Sequence, residues 1–181
     1  MKKRLLAMLL CISMVAGLMP TAFAVNTITV GAFTVTSSST LIEGTDYSYS
    51  NGTLTILSDT AVTIANTDPN TPTSDAIAVA DGVNANITLA GVNIDLFYSS
   101  GACAFRIADN STGNVTITLA AGTINTLRSG DSCAGLQKNG NASSGMLTIT
   151  GTGTLTVQGG FRAAGIGGGN GDTANITIEG G

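Results

Sequence analysis

Small residues return along this chain at a fixed interval. Cys103-Ala104, Cys133-Ala134 and Ala163-Ala164 are spaced by 30 residues, and Val79-Ala80-Asp81 comes back as Ile107-Ala108-Asp109 after 28. Each unit carries a stretch in which aliphatic residues alternate with polar ones, mostly Thr: Ile87-Thr88-Leu89, Val115 to Leu119, Leu147 to Thr150 and Ile176-Thr177-Ile178. Alternation of this kind makes one face apolar and the other hydroxyl-bearing, as in a half-buried strand. A second short strand follows in each unit, over Val92 to Leu96, around Ile124, and over Leu155 to Val157, with Gly91, Gly122, Gly151, Gly153, Gly159 and Gly160 as turn formers between strands. Near-equal units with the same inward positions are what stacked coils require. An antiparallel sandwich would also show regular turns, but it gives no reason for small residues to recur every 30 positions. The expected fold is therefore all-β, a right-handed parallel β-helix with coils of about 30 residues.

The repeats occupy residues 73–181. Residues 25–72 differ: they read as strands over Thr27 to Val35, Tyr47 to Tyr49, Leu54 to Leu57 and Val62 to Ile64, with Asn51-Gly52 as a hairpin turn and Asp68 to Pro72 as a break. This segment is expected to cap the first coil, since an uncovered solenoid end exposes unpaired strand edges. The chain stops at Glu179-Gly180-Gly181, just after a strand and without a polar cap, as a longer array cut short would.

Residues 1–24 have the order of a secretory signal: Lys2, Lys3 and Arg4, an apolar run from Leu5 to Met19, then Pro20 and the small-x-small Ala22-Phe23-Ala24. The run is shorter than the roughly 20 residues a membrane-spanning helix needs. Cys11 would suit lipidation only after a small residue, and Leu10 precedes it. Beyond residue 24 the positive side chains are Arg106, Arg128, Lys138 and Arg162, against eleven acids, so the processed chain carries 4 − 11 = −7. That charge disfavours nucleic acid and anionic membranes and suits a soluble, secreted protein associated with the cell surface. No membrane insertion of the processed chain is expected.

The chain contains no His, which removes Ser-His-Asp and Cys-His catalysis and His-based zinc sites. A glycosidase would need paired carboxylates; Asn66-Thr67-Asp68 echoes part of such a site, but Asp68 also reads as a turn residue before Pro69. A lyase would need a base beside calcium-binding acids, and Arg106 and Arg128 have no acidic cluster near them in sequence. The Gly-rich run from Gly165 to Gly171 lacks the Lys-Ser/Thr of a phosphate loop and reads as a tight, repeated turn. Asn-x-Thr/Ser triplets at Asn51, Asn86, Asn110, Asn114, Asn141 and Asn175 are read as structural.

Three stretches, 44 to 56 (Gly-Thr-Asp-Tyr-Ser-Tyr-Ser-Asn-Gly-Thr-Leu-Thr-Ile), Cys133 to Gln137 and Ala163 to Gly171, together resemble large secreted surface proteins of anaerobic gram-positive bacteria with Ala-Gly-Ile-Gly-Gly-Gly repeats. The resemblance implies a β-helical, adhesin-like or carbohydrate-binding protein and supplies no catalytic residues. The expected function is accordingly an extracellular adhesin or glycan-binding module without catalysis, its partner a polysaccharide or a host or cell-surface glycan. A pectate-lyase-like enzyme and a mechanical stalk are the alternatives.

Three residue-level expectations follow. Cys103 and Cys133, stacked one coil apart, would form a disulfide, the alternative being two buried thiols. Asp81, Asp109 and Asn139 would form a ladder at one turn, either splayed into water or sharing calcium; no other cofactor is expected. Tyr98, beside Phe97, is the candidate sugar-stacking residue, in a chain with no Trp and three Tyr.

Overall fold

The computed structural model describes residues 25–141, 143–169 and 172–180. The expected export signal at residues 1–24, with Cys11, lies outside the described residues. Sixteen strands and no helix make up the described chain. They form three sheets of seven, three and six strands, stacked as a β-solenoid of about three turns.

Each of the three complete coils contributes one strand to each sheet. In the seven-stranded sheet β5 (Val62–Asn66), β7 (Asn86–Leu89), β10 (Val115–Leu119), β13 (Leu147–Gly151) and β16 (Ile176–Ile178) pair in parallel. The three-stranded sheet holds β8 (Asn93–Asp95), β11 (Ile124–Arg128) and β14 (Thr154–Gln158). In the third sheet β4 (Thr53–Ile56), β6 (Ala76–Val79), β9 (Phe105–Ile107), β12 (Leu136–Lys138) and β15 (Ile166–Gly167) are likewise parallel.

The register explains the repeat. Ile87, Ile117, Ile149 and Ile178 lie in one column, and Leu54, Ile77, Phe105, Leu136 and Ile166 in another. Most of these side chains are fully buried in a single core. Burying a large aliphatic side chain contributes about 1.5–3 kcal/mol, so the columns carry most of the cohesion. Outside the same strands, Thr36, Thr63, Thr88, Thr118 and Thr150 form a hydroxyl-bearing column on the seven-stranded sheet.

The third sheet is where structure and sequence reading part. The Gly-rich run from Gly165 to Gly171, expected as a tight turn, contains Ile166–Gly167 of strand β15, and Cys133 to Gln137 leads into β12. Likewise Thr27 to Val35 is not one strand: the chain reverses at Gly31 (φ 55°), so that β1 (Asn26–Val30) pairs antiparallel with β2 (Phe33–Ser37). A second hairpin joins β3 (Tyr47–Ser50) to β4 through Asn51 and Gly52, both left-handed at φ 50° and 72°, as a two-residue hairpin loop requires. Asp75 ties the two hairpins together, its Oδ2 accepting from the Ala32 amide and the Tyr49 hydroxyl, each at 2.8 Å.

Asn residues hold the corners. Asn84 Oδ1 accepts from the Asn114 amide at 3.1 Å, and Asn114 Oδ1 from the Met146 amide at 2.9 Å. Asn141 donates to Asn110 Oδ1, and Asn175 to the Asn141 carbonyl. Four of the Asn-x-Thr/Ser asparagines thus bond between neighbouring coils.

Candidate functional site

The corner between the three-stranded and six-stranded sheets changes length from coil to coil. Asp95, Arg128 and Gln158 are register partners at the end of the three-stranded sheet. Past the corner, the Gly101 amide donates to the Asp131 carbonyl and the Ser132 amide to the Phe161 carbonyl, which aligns Gly101, Ser132 and Arg162. All three have left-handed backbone, at φ 72°, 66° and 66°. Between the two markers the chain advances 101 − 95 = 6 positions in the first coil, but 132 − 128 = 4 and 162 − 158 = 4 in the next two. The first coil therefore has a corner two residues longer, and Phe97 and Tyr98 lie on it.

Two successive turns build this longer corner, the Ser99 amide donating to the Leu96 carbonyl and the Ala102 amide to the Ser99 carbonyl. Below it the chain must pass close. Gly130 and Gly160 stack under Ser99, where a Cβ at Gly130 would run into the Ser99 carbonyl and one at Gly160 into the Gly130 carbonyl.

Tyr98, the candidate stacking residue, is 93% exposed. Phe97 is half-buried and meets the Tyr98 ring edge to face, with centroids 5.2 Å apart. Arg128 covers the Phe97 ring, its guanidinium carbon 4.9 Å from the centroid. That guanidinium is fixed on both sides, by an ion pair with Asp95 and by Nε donation to Gln158 Oε1 at 2.9 Å. An otherwise mobile side chain is thus held over the aromatic ring by its coil neighbours, and the pair presents a preformed surface, apolar at Tyr98 and polar at Arg128. Two coils on, Phe161 is 70% exposed at the same corner, with the Arg162 guanidinium 5.0 Å from its ring.

Cys103 and Cys133, separated by 30 positions in sequence, are joined by a disulfide with Cα atoms 5.2 Å apart. It staples the first and second coils immediately after the aromatic corner.

The expected polar ladder has a different composition. Register places Val79 beside Ile107 and Ile107 beside Lys138. Asp81 is consequently level with Asp109, but the third position is Gly140, which has no ligating side chain. Asn139 is one residue out of step and its Oδ1 accepts from the Gly169 amide at 2.9 Å. Asp109 is itself paired with Arg106 at 2.6 Å. Among the described residues no group of three His, Cys, Asp or Glu side chains converges as a metal site. The mismatch arises because the first interval is 28 residues and the next, by register, is 31.

Asp68 closes its own turn, accepting from the Asn70 amide at 3.0 Å and the Thr71 hydroxyl at 2.7 Å. The Thr71 hydroxyl foremost, then the Asn70 amide, hold its carboxyl below the usual range.

A second surface feature lies on the seven-stranded sheet, a groove of about 320 Å³ whose floor includes Thr36, Thr63, Thr88 and Thr118.

The sequence singles out Tyr98 as a candidate, but does not place Arg128, Gln158 or Phe161 at the same corner. The missing signal was coil length: counting residues between matched positions would have exposed the longer corner.

Residues 71–181 match the model of a family described as carbohydrate-binding domain-containing protein. No curated protein and no solved structure matches the chain.

Proposed function

The chain belongs to the carbohydrate-binding domain-containing protein family, and from that membership we propose that it is an exported, cell-surface β-solenoid that holds polysaccharide without cleaving it, at the Phe97–Tyr98 corner. The observation that carries this reading is the two-residue lengthening of one corner, which lifts Tyr98 to 93% exposure beside a pinned arginine. In repeat proteins, insertions map to loops and often to the binding face. An aromatic ring held clear of the surface offers a flat apolar face to the C–H side of a sugar ring, while Arg128 and Asp95 offer a donor and an acceptor to its hydroxyls. With one short platform in place of a deep cleft, single-site affinity is weak, and tighter attachment comes from many copies on one surface. The acidic surface expected from sequence keeps such a protein soluble outside the cell.

The test incubates the processed chain with insoluble pectins, mucins and plant glucans, measuring both retention and the release of reducing ends or unsaturated products. Retention without product is expected, and Tyr98→Ala should weaken it by about 1 kcal/mol, roughly fivefold. Steady product formation lost on changing Arg106 or Asp68 would replace this reading with an enzyme; absence of both retention and product would leave a stalk.

A further inference from the structure

Resting on that reading, we infer that the glycan lies along the solenoid axis, bridging two stacking stations, Tyr98 and Phe161, and that it is an uncharged linear polysaccharide. The two rings share one corner. Tyr98 stands three positions before left-handed Gly101 and Phe161 one position before left-handed Arg162, and these two residues are aligned through Ser132. Two coil steps separate the stations, about 10 Å at the spacing of paired strands. An extended sugar chain advances per residue by a step close to one strand spacing, so next-neighbour rings can meet both stations when the chain runs parallel to the axis.

Charge at the corner selects the polymer. Arg128 is neutralised by its ion pair with Asp95. Asp131, exposed in the middle coil, balances Arg162 in the third. The corner is locally neutral on a chain whose residues beyond the leader sum to −7. A polyanion gains nothing at the corner and is repelled by the rest of the surface, whereas sugar hydroxyls find an acid between two aromatic rings. Phe161 has no structural duty that would explain its place: it is 70% exposed, and only its backbone carbonyl bonds to the neighbouring coil. Phe161 and Tyr98, both left in solvent two coil steps apart on one corner, line up exposed apolar rings along a single edge, as a contact surface does.

The experiment titrates soluble linear β-glucan oligosaccharides of increasing length against the processed chain and against Tyr98→Ala, Phe161→Ala and Phe161→Tyr, with thermal melts to confirm that each variant is folded. For the parent, affinity should climb with length until one oligosaccharide reaches both rings, and then level off. Phe161→Ala should leave the shortest oligosaccharides unaffected and lower the plateau roughly fivefold, while Phe161→Tyr keeps it. Parallel titrations of a long glucan and a polyuronate with added salt should show binding confined to the glucan and insensitive to ionic strength. If Tyr98→Ala weakens every length but Phe161→Ala changes none, the axial bridge is wrong and the proposed function stands. Preference for the polyuronate, lost in salt, overturns the uncharged polymer. A parent that binds neither polymer overturns the proposed function as well.

Discussion

Position 138 is the least expected residue in the core. The column formed by Ile56, Val79 and Ile107 continues into Lys138, whose side chain is fully buried and whose Nζ has no hydrogen-bond partner among the described residues. Burial lowers its pKa below the ordinary lysine value, with Asp109 and then Asp81 opposing the shift. The unfolded chain thus holds this proton more tightly than the folded one. The cost of the buried charge is full below the folded pKa and fades as pH rises through it toward the unfolded value near 10.5. Lys138→Met, close in size and apolar like its column neighbours, should stabilise the fold at neutral pH by about 1–3 kcal/mol and flatten the alkaline rise in stability. Denaturant unfolding at a series of pH values measures both; an unchanged or lower midpoint for the variant would show that the ammonium is well accommodated. Nothing in the sequence marks Lys138 as inward, because Leu136-Gln137-Lys138 has no apolar residue at the alternate position.

Among the elements, legibility followed alternation. The seven-stranded and three-stranded sheets were readable because Ile, Val and Leu take every second place in Val115 to Leu119 or Thr154 to Gln158. In the third sheet the hairpin strands β3 and β4 were readable but the later ones were hidden: β12 has three residues and β15 two, and the Gly, Ala and Cys around them carry no period of two. What the sequence did show there was spacing, and spacing was enough to pair Cys103 with Cys133. Closing a loop across 30 residues should contribute about 3–4 kcal/mol in the chain-entropy model. Chemical unfolding with and without reductant, with the Cys103→Ser/Cys133→Ser double variant as control, should show that loss. Equal stability in all three would mean that the coil contacts alone fix this corner. Spacing misled at Asn139, where the interval after Asp109 is 31 residues by register rather than the expected 30, which leaves the residue one place out of the ladder.

For the whole molecule, the solenoid acts as a ruler: identical coils set a repeat, and departures from the repeat mark where something else is served. The longer corner at Phe97 and Tyr98, the exposed Phe161 and the two arginines over aromatic rings all fall on one edge. The hydroxyl-bearing face of the seven-stranded sheet, by contrast, follows from strand register and needs no ligand to explain it. One surface is a corner and the other a sheet face, so amide shift mapping can tell them apart. Titrating an isotope-labelled, processed chain with a soluble linear glucan should move the resonances of residues 97–101, 131 and 161 while leaving Thr63, Thr88 and Thr118 in place; shifts confined to the threonine face, or none at any glucan concentration, would contradict a glycan site at the aromatic corner.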